Sequence, residues 1–273
     1  MPRMSGPASA QTRSLGHYRL QKPLGKGGMG VVYLAYDTKL ERLVALKLLG
    51  PSVADAHARA RLLNEARAAS ALKHPNVCTI YEVGECEGEA YIAMEYVEGR
   101  SLAEMLSEGT LAEEAILRYG IQLADALAHA HEQGIIHCDL KASNVIVTSD
   151  GCAKLVDFGL SKRLSDRGAG LESWQALAES GVVEGTLAYL APEILRGSPA
   201  DARTDTWSLG VLLYEIAAGG TPFHGRTGFE IASAILRDRP APLPLRMSPG
   251  LRSSIERCLE KGPDRRYKHA SEL

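Results

Sequence analysis

The stretch Ile135–Val147 (IIHCDLKASNVIV), read with Lys154–Leu160 (KLVDFGL), constrains this chain more than any other feature. The apolar triplet Val145–Val147 and the run Ala153–Val156 have strand composition, and a turn sequence at Ser149–Gly151 separates them, so they read as a β-hairpin. Such a hairpin brings Asn144, just before one strand, close to Asp157, just after the other. Two hard oxygen donors then converge on one point, which suits Mg2+ when phosphates supply more of its shell. Asp139 lies on the preceding loop, placed to take a proton from an incoming hydroxyl. Asp-Phe-Gly or His-x-Asp alone is common by chance, and only the surrounding chain gives either one meaning.

Upstream, Gly25, Gly27 and Gly30 form G-x-G-x-x-G between His17–Leu24 and Val31–Tyr36, both of strand composition. A dinucleotide site needs a strand followed by a helix. Here VVYLAY follows, so the turn is strand-to-strand. That context favours a lid whose backbone N–H groups cover nucleotide phosphates, with a plain glycine hairpin as the alternative. In LVALKLL, Lys47 sits inside an apolar strand, where an unpaired ammonium is costly. From Ala58 to Leu72 a helix places Leu62, Ala66, Ala69 and Leu72 on an inward stripe. Glu65, at the edge of that stripe, is expected to pair Lys47; otherwise it is a solvated helix charge.

Further along, HPNV at His74–Val77 ends the helix, and strands are expected at Val77–Val83 and Ala90–Glu95 with a turn at Gly84–Glu89. MEYVEGRSL then passes from strand to a polar, glycine-containing hinge. Thr110-x-x-Glu113 reads as a capping box, and Ile116, Leu123, Leu127 and Ala130 mark the buried stripe of the helix it opens, which ends at Gly134. Ser161–Glu184 is a long polar connector. Asp205 begins an apolar helix, and Ser248-Pro249 reads as a cap followed by proline at the first turn.

Taken together, the glycine loop, Lys47 in VALK, Glu65, HCDLKASN, DFG, GTLAYLAPE and DRRY resemble, in order, the motifs of eukaryotic-like (Hanks-type) protein kinases. The opening GKGGMGVVYLAYD is most similar to the bacterial branch. The resemblance runs from Gly25 to Arg266. It implies an α+β, bilobal protein kinase fold: a small β-rich N-lobe with one main helix and a larger, mainly helical C-lobe. The expected division is a flexible tail over 1–16, an N-lobe over 17–96 and a C-lobe over 97–273.

The resemblance also implies roles. Asp139 orients the substrate hydroxyl and accepts its proton, Lys141 neutralises charge on the transferring group, and Asn144 and Asp157 hold metal. Lys47, steadied by Glu65, fixes the phosphate tail. Thr186 shapes the substrate site near Asp139 and Lys141. Leu24, Val32, Ala45 and Ile146 sandwich the adenine, Met94 guards the back of its pocket, and the backbone at Glu95 and Val97 bonds its edge; Gly25, Gly27 and Gly30 cover the phosphates. Glu193 and Arg266 form a buried ion pair, and Asp205 holds the catalytic-loop backbone. The implied reaction moves the γ-phosphoryl of ATP to Ser/Thr hydroxyls of protein substrates, using Mg2+ or Mn2+, with self-association for autophosphorylation in signalling. Lys141 in DLKASN is similar to the serine/threonine pattern.

Two departures stand out. Cys138 replaces the usual arginine of His-Arg-Asp, and Ala142 replaces the usual proline after Lys141. The connector holds Ser161, Ser165, Ser173 and Ser180 but no threonine or tyrosine. A phosphate there orders a loop only if basic groups await it. With the arginine gone, Lys162, Arg163, Arg59 and Arg61 are the remaining candidates, and the expectation is basal activity that does not require connector phosphorylation. Cys138 also motivates the alternative of a nucleotide-binding pseudokinase acting as a scaffold. A small-molecule phosphotransferase of related fold is a third reading, opposed by GTLAYLAPE.

Composition narrows the field further. A net charge of −2 argues against generic nucleic-acid binding through a basic surface. The five cysteines show no C-x-x-C spacing and read as reduced thiols. With no apolar run of membrane-spanning length and no signal-peptide core, a cytoplasmic setting is expected. The final HASEL looks like the start of a helix, so the chain reads as a domain of a longer protein.

Overall fold

The computed structural model describes residues 13–27, 30–50, 56–158, 184–245 and 247–273. Within them the chain divides into two compact units, one made of residues up to Leu63 together with Ile80–Tyr96, the other of Asn64–Thr79 and Val97–Leu273.

The first unit is an antiparallel sheet in the order β1-β2-β3-β4-β6-β5. Its strands are β1 (Ser14–Leu15), β2 (Tyr18–Gly27), β3 (Gly30–Asp37), β4 (Arg42–Leu49), β5 (Ile80–Cys86) and β6 (Glu89–Glu95). Period-two alternation gives the sheet its two faces. Val44, Leu46 and Leu48 of β4 turn to a core shared with Leu15, Tyr18, Leu20, Ala35, Tyr91 and Ala93. Each fully buried aliphatic of this set contributes about 1.5–3 kcal/mol. The opposite face carries Ala45 and Lys47. Lys47 pairs in register with Val32 and Ile92, and Ala45 with Leu34 and Met94, and directly paired residues share a face. The β2–β3 turn closes at Gly27↔Gly30. Gly30 has φ 146°, and a Cβ there would lie 1.8 Å from the Leu48 carbonyl oxygen, so only glycine fits.

In the second unit a small sheet, β7 (Gly99–Ser101), β8 (Val145–Thr148) and β9 (Ala153–Leu155), accompanies the helices. Helix α1 (Ala56–Ala69) straddles the division between units, burying Leu62, Ala66 and Ala69 as its spacing predicts. Then come α2 (Leu102–Ser107), α3 (Glu113–Glu132), α4 (Glu184–Leu187), α5 (Pro192–Leu195), α6 (Ala202–Ala218), α7 (Gly228–Arg237) and α8 (Pro249–Cys258). Helix α6 is apolar all round and buried along nearly its whole length, the signature of a central core helix. Among the described residues no helix is long and apolar enough to cross a membrane.

Several local expectations are corrected. The flexible tail expected through residue 16 overlaps β1, where Ser14 pairs with Arg19 and Leu15 with Tyr18; residues 1–12 of that tail lie outside the described residues. Strand β5 begins at Ile80, because Val77 instead bridges Leu155 in parallel while the Cys78 amide donates to the Leu155 carbonyl and the Leu155 amide to that of Asn76. Asn76 also donates to Gln122 and to the Ala153 carbonyl, so residues 64–79 cluster with the second unit, not with the sheet expected to include them. The Thr110/Glu113 capping box does not form. Ala112 is the N-cap of α3 without a side-chain bond, the Leu111 amide is drawn to the Ile216 carbonyl, and Glu113 accepts from the Ser248 amide. A capping box forms instead at Ser101/Glu104, opening α2 inside the expected hinge, and another at Asp201/Thr204 opens α6. Ser248 precedes Pro249 as expected but makes no side-chain cap bond.

Candidate active site

The hairpin forms as its sequence predicts, with Val145 opposite Leu155 and Val147 opposite Ala153. At its open end the Val156 amide donates to the Asn144 carbonyl at 3.0 Å, which sets Asn144 beside the backbone leading into Asp157. Asp157 has φ 62°, and so does Cys138. Non-glycine residues in this region are uncommon and carry strain, and such residues cluster at functional sites.

His137 and Asp205 hold the loop between them. His137 is fully buried, and its Nδ1 accepts from the Asp139 amide at 3.2 Å. Its Nε2 must then carry the proton, which it donates to the Val156 carbonyl at 3.2 Å. The ring packs edge-on against Phe158 at 4.5 Å, tying the two motifs together. The fully buried Asp205 carboxylate accepts from the His137 amide (2.8 Å), the Cys138 amide (2.9 Å) and His131 Nε2 (2.8 Å). Because Cys138 is held through its backbone, the loop's course does not depend on the side chain at that position.

Around Asp139 the groups converge. Lys141 Nζ donates to both Asp139 carboxylate oxygens and to Thr186 Oγ1, each at 2.9 Å. Asn144 Nδ2 donates to the Asp139 carbonyl at 2.8 Å and to its Oδ2 at 2.9 Å. With its nitrogen so committed, the Asn144 amide oxygen is the atom left for a ligand. Among the described residues no group of three or more His, Cys, Asp or Glu side chains is arranged to hold a metal ion. The donor set of Asp157 and Asn144 fits Mg2+, a hard cation that takes one or two protein oxygens and draws the rest from phosphates and water.

The structure thus brings together Asp139, Lys141, Asn144 and Thr186, with Asp157 next to the pair that closes the hairpin. In the first unit Val32, Ala45, Lys47 and Met94 share one sheet face. Leu24 is exposed at a register shift of β2, and Gly25, Gly27 and Gly30 form the β2–β3 turn. Glu65 lies half-buried on α1 beside Leu62 and Ala66, Glu95 ends β6, Val97 follows it, and Ile146 is the outward residue of β8. Gly159 and the connector calls Ser161, Lys162, Arg163, Ser165, Ser173 and Ser180 lie outside the described residues.

A model of the protein kinase domain matches residues 18–273. The chain belongs to the protein kinase family. This kinase domain is of the Hanks type, bacterial branch, and its two units are the β-rich and the mainly helical lobes of that fold. It is 38% identical over 267 residues to a probable serine/threonine-protein kinase of Streptomyces coelicolor, covering 94% of this chain and 39% of the relative. It is 37% identical over 265 residues to the serine/threonine-protein kinase PknB of Mycolicibacterium smegmatis, covering 94% and 41%. A probable serine/threonine-protein kinase of Clostridium acetobutylicum is 36% identical over 261 residues, covering 94% and 38%. The kinase domain therefore spans about two fifths of the length of the curated relatives it matches.

Two expected ties of the kinase domain's second unit are present. Arg266 forks onto Glu193 with two bonds of 2.7 Å, and Asp205 holds the catalytic loop as described. Sequence reasoning missed His131, Tyr189 and Glu215. His131 carries a signal: it stands four residues after Leu127 on the buried stripe of α3, a polar group where an apolar one is expected. Tyr189 and Glu215 carry none, because their partners are remote in sequence.

Proposed function

We propose that this kinase domain transfers the γ-phosphoryl of ATP to serine and threonine hydroxyls of protein substrates. The observation that carries the reading is the convergence of Lys141, Asn144 and Thr186 on Asp139. Phosphoryl transfer asks of the protein mainly positioning and charge neutralisation. Asp139, fixed by two donors, orients the incoming hydroxyl and accepts its proton. Lys141, held between Asp139 and Thr186, offers its charge to the transferring group. Asp157 and Asn144 would hold Mg2+, or Mn2+ in its place, which bridges and neutralises the phosphates when bound.

The glycines support a phosphate lid. Gly25 and Gly27 have no positive φ, and a Cβ on either would meet nothing within 4 Å in the protein. No internal packing demands glycine there, whereas close approach of a ligand to the backbone does. Lys47 and Glu65 keep the roles that the resemblance gives them, as do Leu24, Val32, Ala45, Met94, Glu95, Val97 and Ile146 toward adenine. Self-association for autophosphorylation, signalling and a cytoplasmic setting complete the reading. The anchoring of Cys138 by its amide weighs against a pseudokinase, since the missing arginine leaves the reacting groups in place.

The test is transfer of labelled phosphate from Mg-ATP to the chain itself and to a generic basic protein, beside Asp139→Asn. Wild type should label both, and Asp139→Asn should fall by orders of magnitude. Equal labelling by the two would overturn the assignment. Mg-ATP should also raise the melting temperature by mass action.

A further inference from the structure

The departure at Ala142 has a structural counterpart. Proline has no N–H, but alanine does, and this one is buried: Ala142 is 4% exposed at the start of the 3-10 turn Ala142–Asn144. The first amides of a helical turn have no partner within it, and a buried amide left unpaired is costly. The Ala142 amide donates to the Tyr189 hydroxyl at 3.2 Å. That hydroxyl in turn donates to the Glu215 carboxylate near the end of α6, in a very close contact.

Tyr189 is itself held firmly. Its carbonyl accepts from Ser208 Oγ of α6 at 3.0 Å, and its amide donates to the Thr186 carbonyl at 3.1 Å. The single turn Thr186–Tyr189 therefore grips two consecutive residues of the catalytic loop. Thr186 takes the Lys141 side chain and Tyr189 takes the Ala142 backbone. Helix α6 anchors both ends of the loop, through Asp205 at His137–Cys138 and through Glu215 and Tyr189 at Ala142. The two anchors stand ten residues apart on the helix, roughly 15 Å, and Asp139 is slung between them. Burial, with the Glu215 charge behind it, pushes the Tyr189 phenol far above its ordinary value, so it remains a donor at neutral pH.

We propose that Tyr189 is a positioning residue for phosphoryl transfer, fastening the catalytic loop through the Ala142 amide in place of the stiffness a proline would give. This rests on the phosphoryl-transfer reading of the same site. It makes the effect of Tyr189 conditional on residue 142. Lys141, at φ −159° and ψ 165°, already has the extended backbone required before proline, and Ala142 occupies the first helical position that proline favours.

The experiment compares wild type, Tyr189→Phe, Ala142→Pro and the double variant in the labelled-ATP assay. Tyr189→Phe should lower kcat about tenfold with KM for ATP within about twofold. Ala142→Pro alone should also lower kcat, because a ring carbon takes the place of the hydrogen aimed at the hydroxyl. In the double variant both the orphaned amide and the clash are gone, and kcat should return to within about threefold of wild type. Losses that simply add, or a Tyr189→Phe enzyme with wild-type kcat, overturn the proposal.

Amide hydrogen exchange provides a readout that does not need the double variant to fold. In Tyr189→Phe the Ala142 amide should exchange about tenfold faster or more, while those of His137 and Cys138, held by Asp205, stay as they were. Unchanged exchange at Ala142 overturns the proposal. A wild type no more active than Asp139→Asn refutes the phosphoryl-transfer reading instead, and exchange at Ala142 then decides alone whether Tyr189 holds the loop.

Discussion

Replacing Arg266 by methionine should cost about 3–5 kcal/mol of stability, the loss typical of a buried ion pair broken on one side. The structure puts this change at the severe end. The Arg266 side chain is 0% exposed and that of Glu193 9%. Its guanidinium makes two 2.7 Å bonds to Glu193, with further bonds to the carbonyls of Glu260 (2.8 Å) and Arg203 (3.0 Å). It also lies 4.9 Å over the Trp207 ring. Methionine keeps much of the volume and none of the donors, so the Glu193 carboxylate is left with the Thr204 hydroxyl at 3.2 Å. Urea denaturation followed by Trp207 fluorescence, in a Trp174→Phe background, measures the change where it occurs. Glu193→Met combined with Arg266→Met should recover about 2 kcal/mol or more of the loss, since no buried charge is then stranded. A single variant that loses less than about 1 kcal/mol, or a double no more stable than the single, would refute the reasoning.

Lys47→Met should reduce transfer by about a hundredfold or more while the melting temperature stays close to wild type; wild-type turnover in a folded variant sinks its assignment to the phosphates. Lys261 is pulled down to about 8 by burial, so between pH 8 and 10 its folded form sheds a proton that the unfolded chain keeps. The unfolded state then binds more protons, and stability rises with pH across that window; the rise should vanish in Lys261→Met, and an identical pH profile in the two proteins would exclude this source. Cys138→Arg should leave the rate of unphosphorylated protein within a few-fold, and phosphatase treatment of the wild type should do the same. A phosphatase-treated enzyme that falls silent and recovers when Ser173 or Ser180 is rephosphorylated would contradict that independence.

What was legible in the sequence was local, or was carried by motif order. The β8–β9 hairpin needs only two apolar runs and a turn, and it delivers Asn144 toward Asp157 with no help from the rest of the chain. The stripe Leu62, Ala66, Ala69 follows from helical period alone. The Glu193–Arg266 pair, 73 residues apart, was reached only through family resemblance. What escaped was decided by tertiary competition for backbone groups. Thr110 and Glu113 have the spacing of a capping box, yet Leu111 is drawn to α6 and the helix starts later. Val77 has strand composition but spends its pairing on Leu155. Ala142 looked like a harmless loss of stiffness because the tyrosine that answers its amide lies 47 residues away.

The two faces of β4 divide the labour of one strand between stability and chemistry. Val44, Leu46 and Leu48 belong to the apolar core, while Ala45 and Lys47 stand on the other side. Tolerance to mutation along this strand should therefore oscillate with a period of two in cellular abundance, and in the opposite phase once activity is scored per folded molecule. Selection for solubility alone would preserve every second residue and leave Lys47 free to drift. A chain that loses its chemistry in that way would still fold and persist in the cell, so a silent kinase can outlive its reaction as a well-behaved protein.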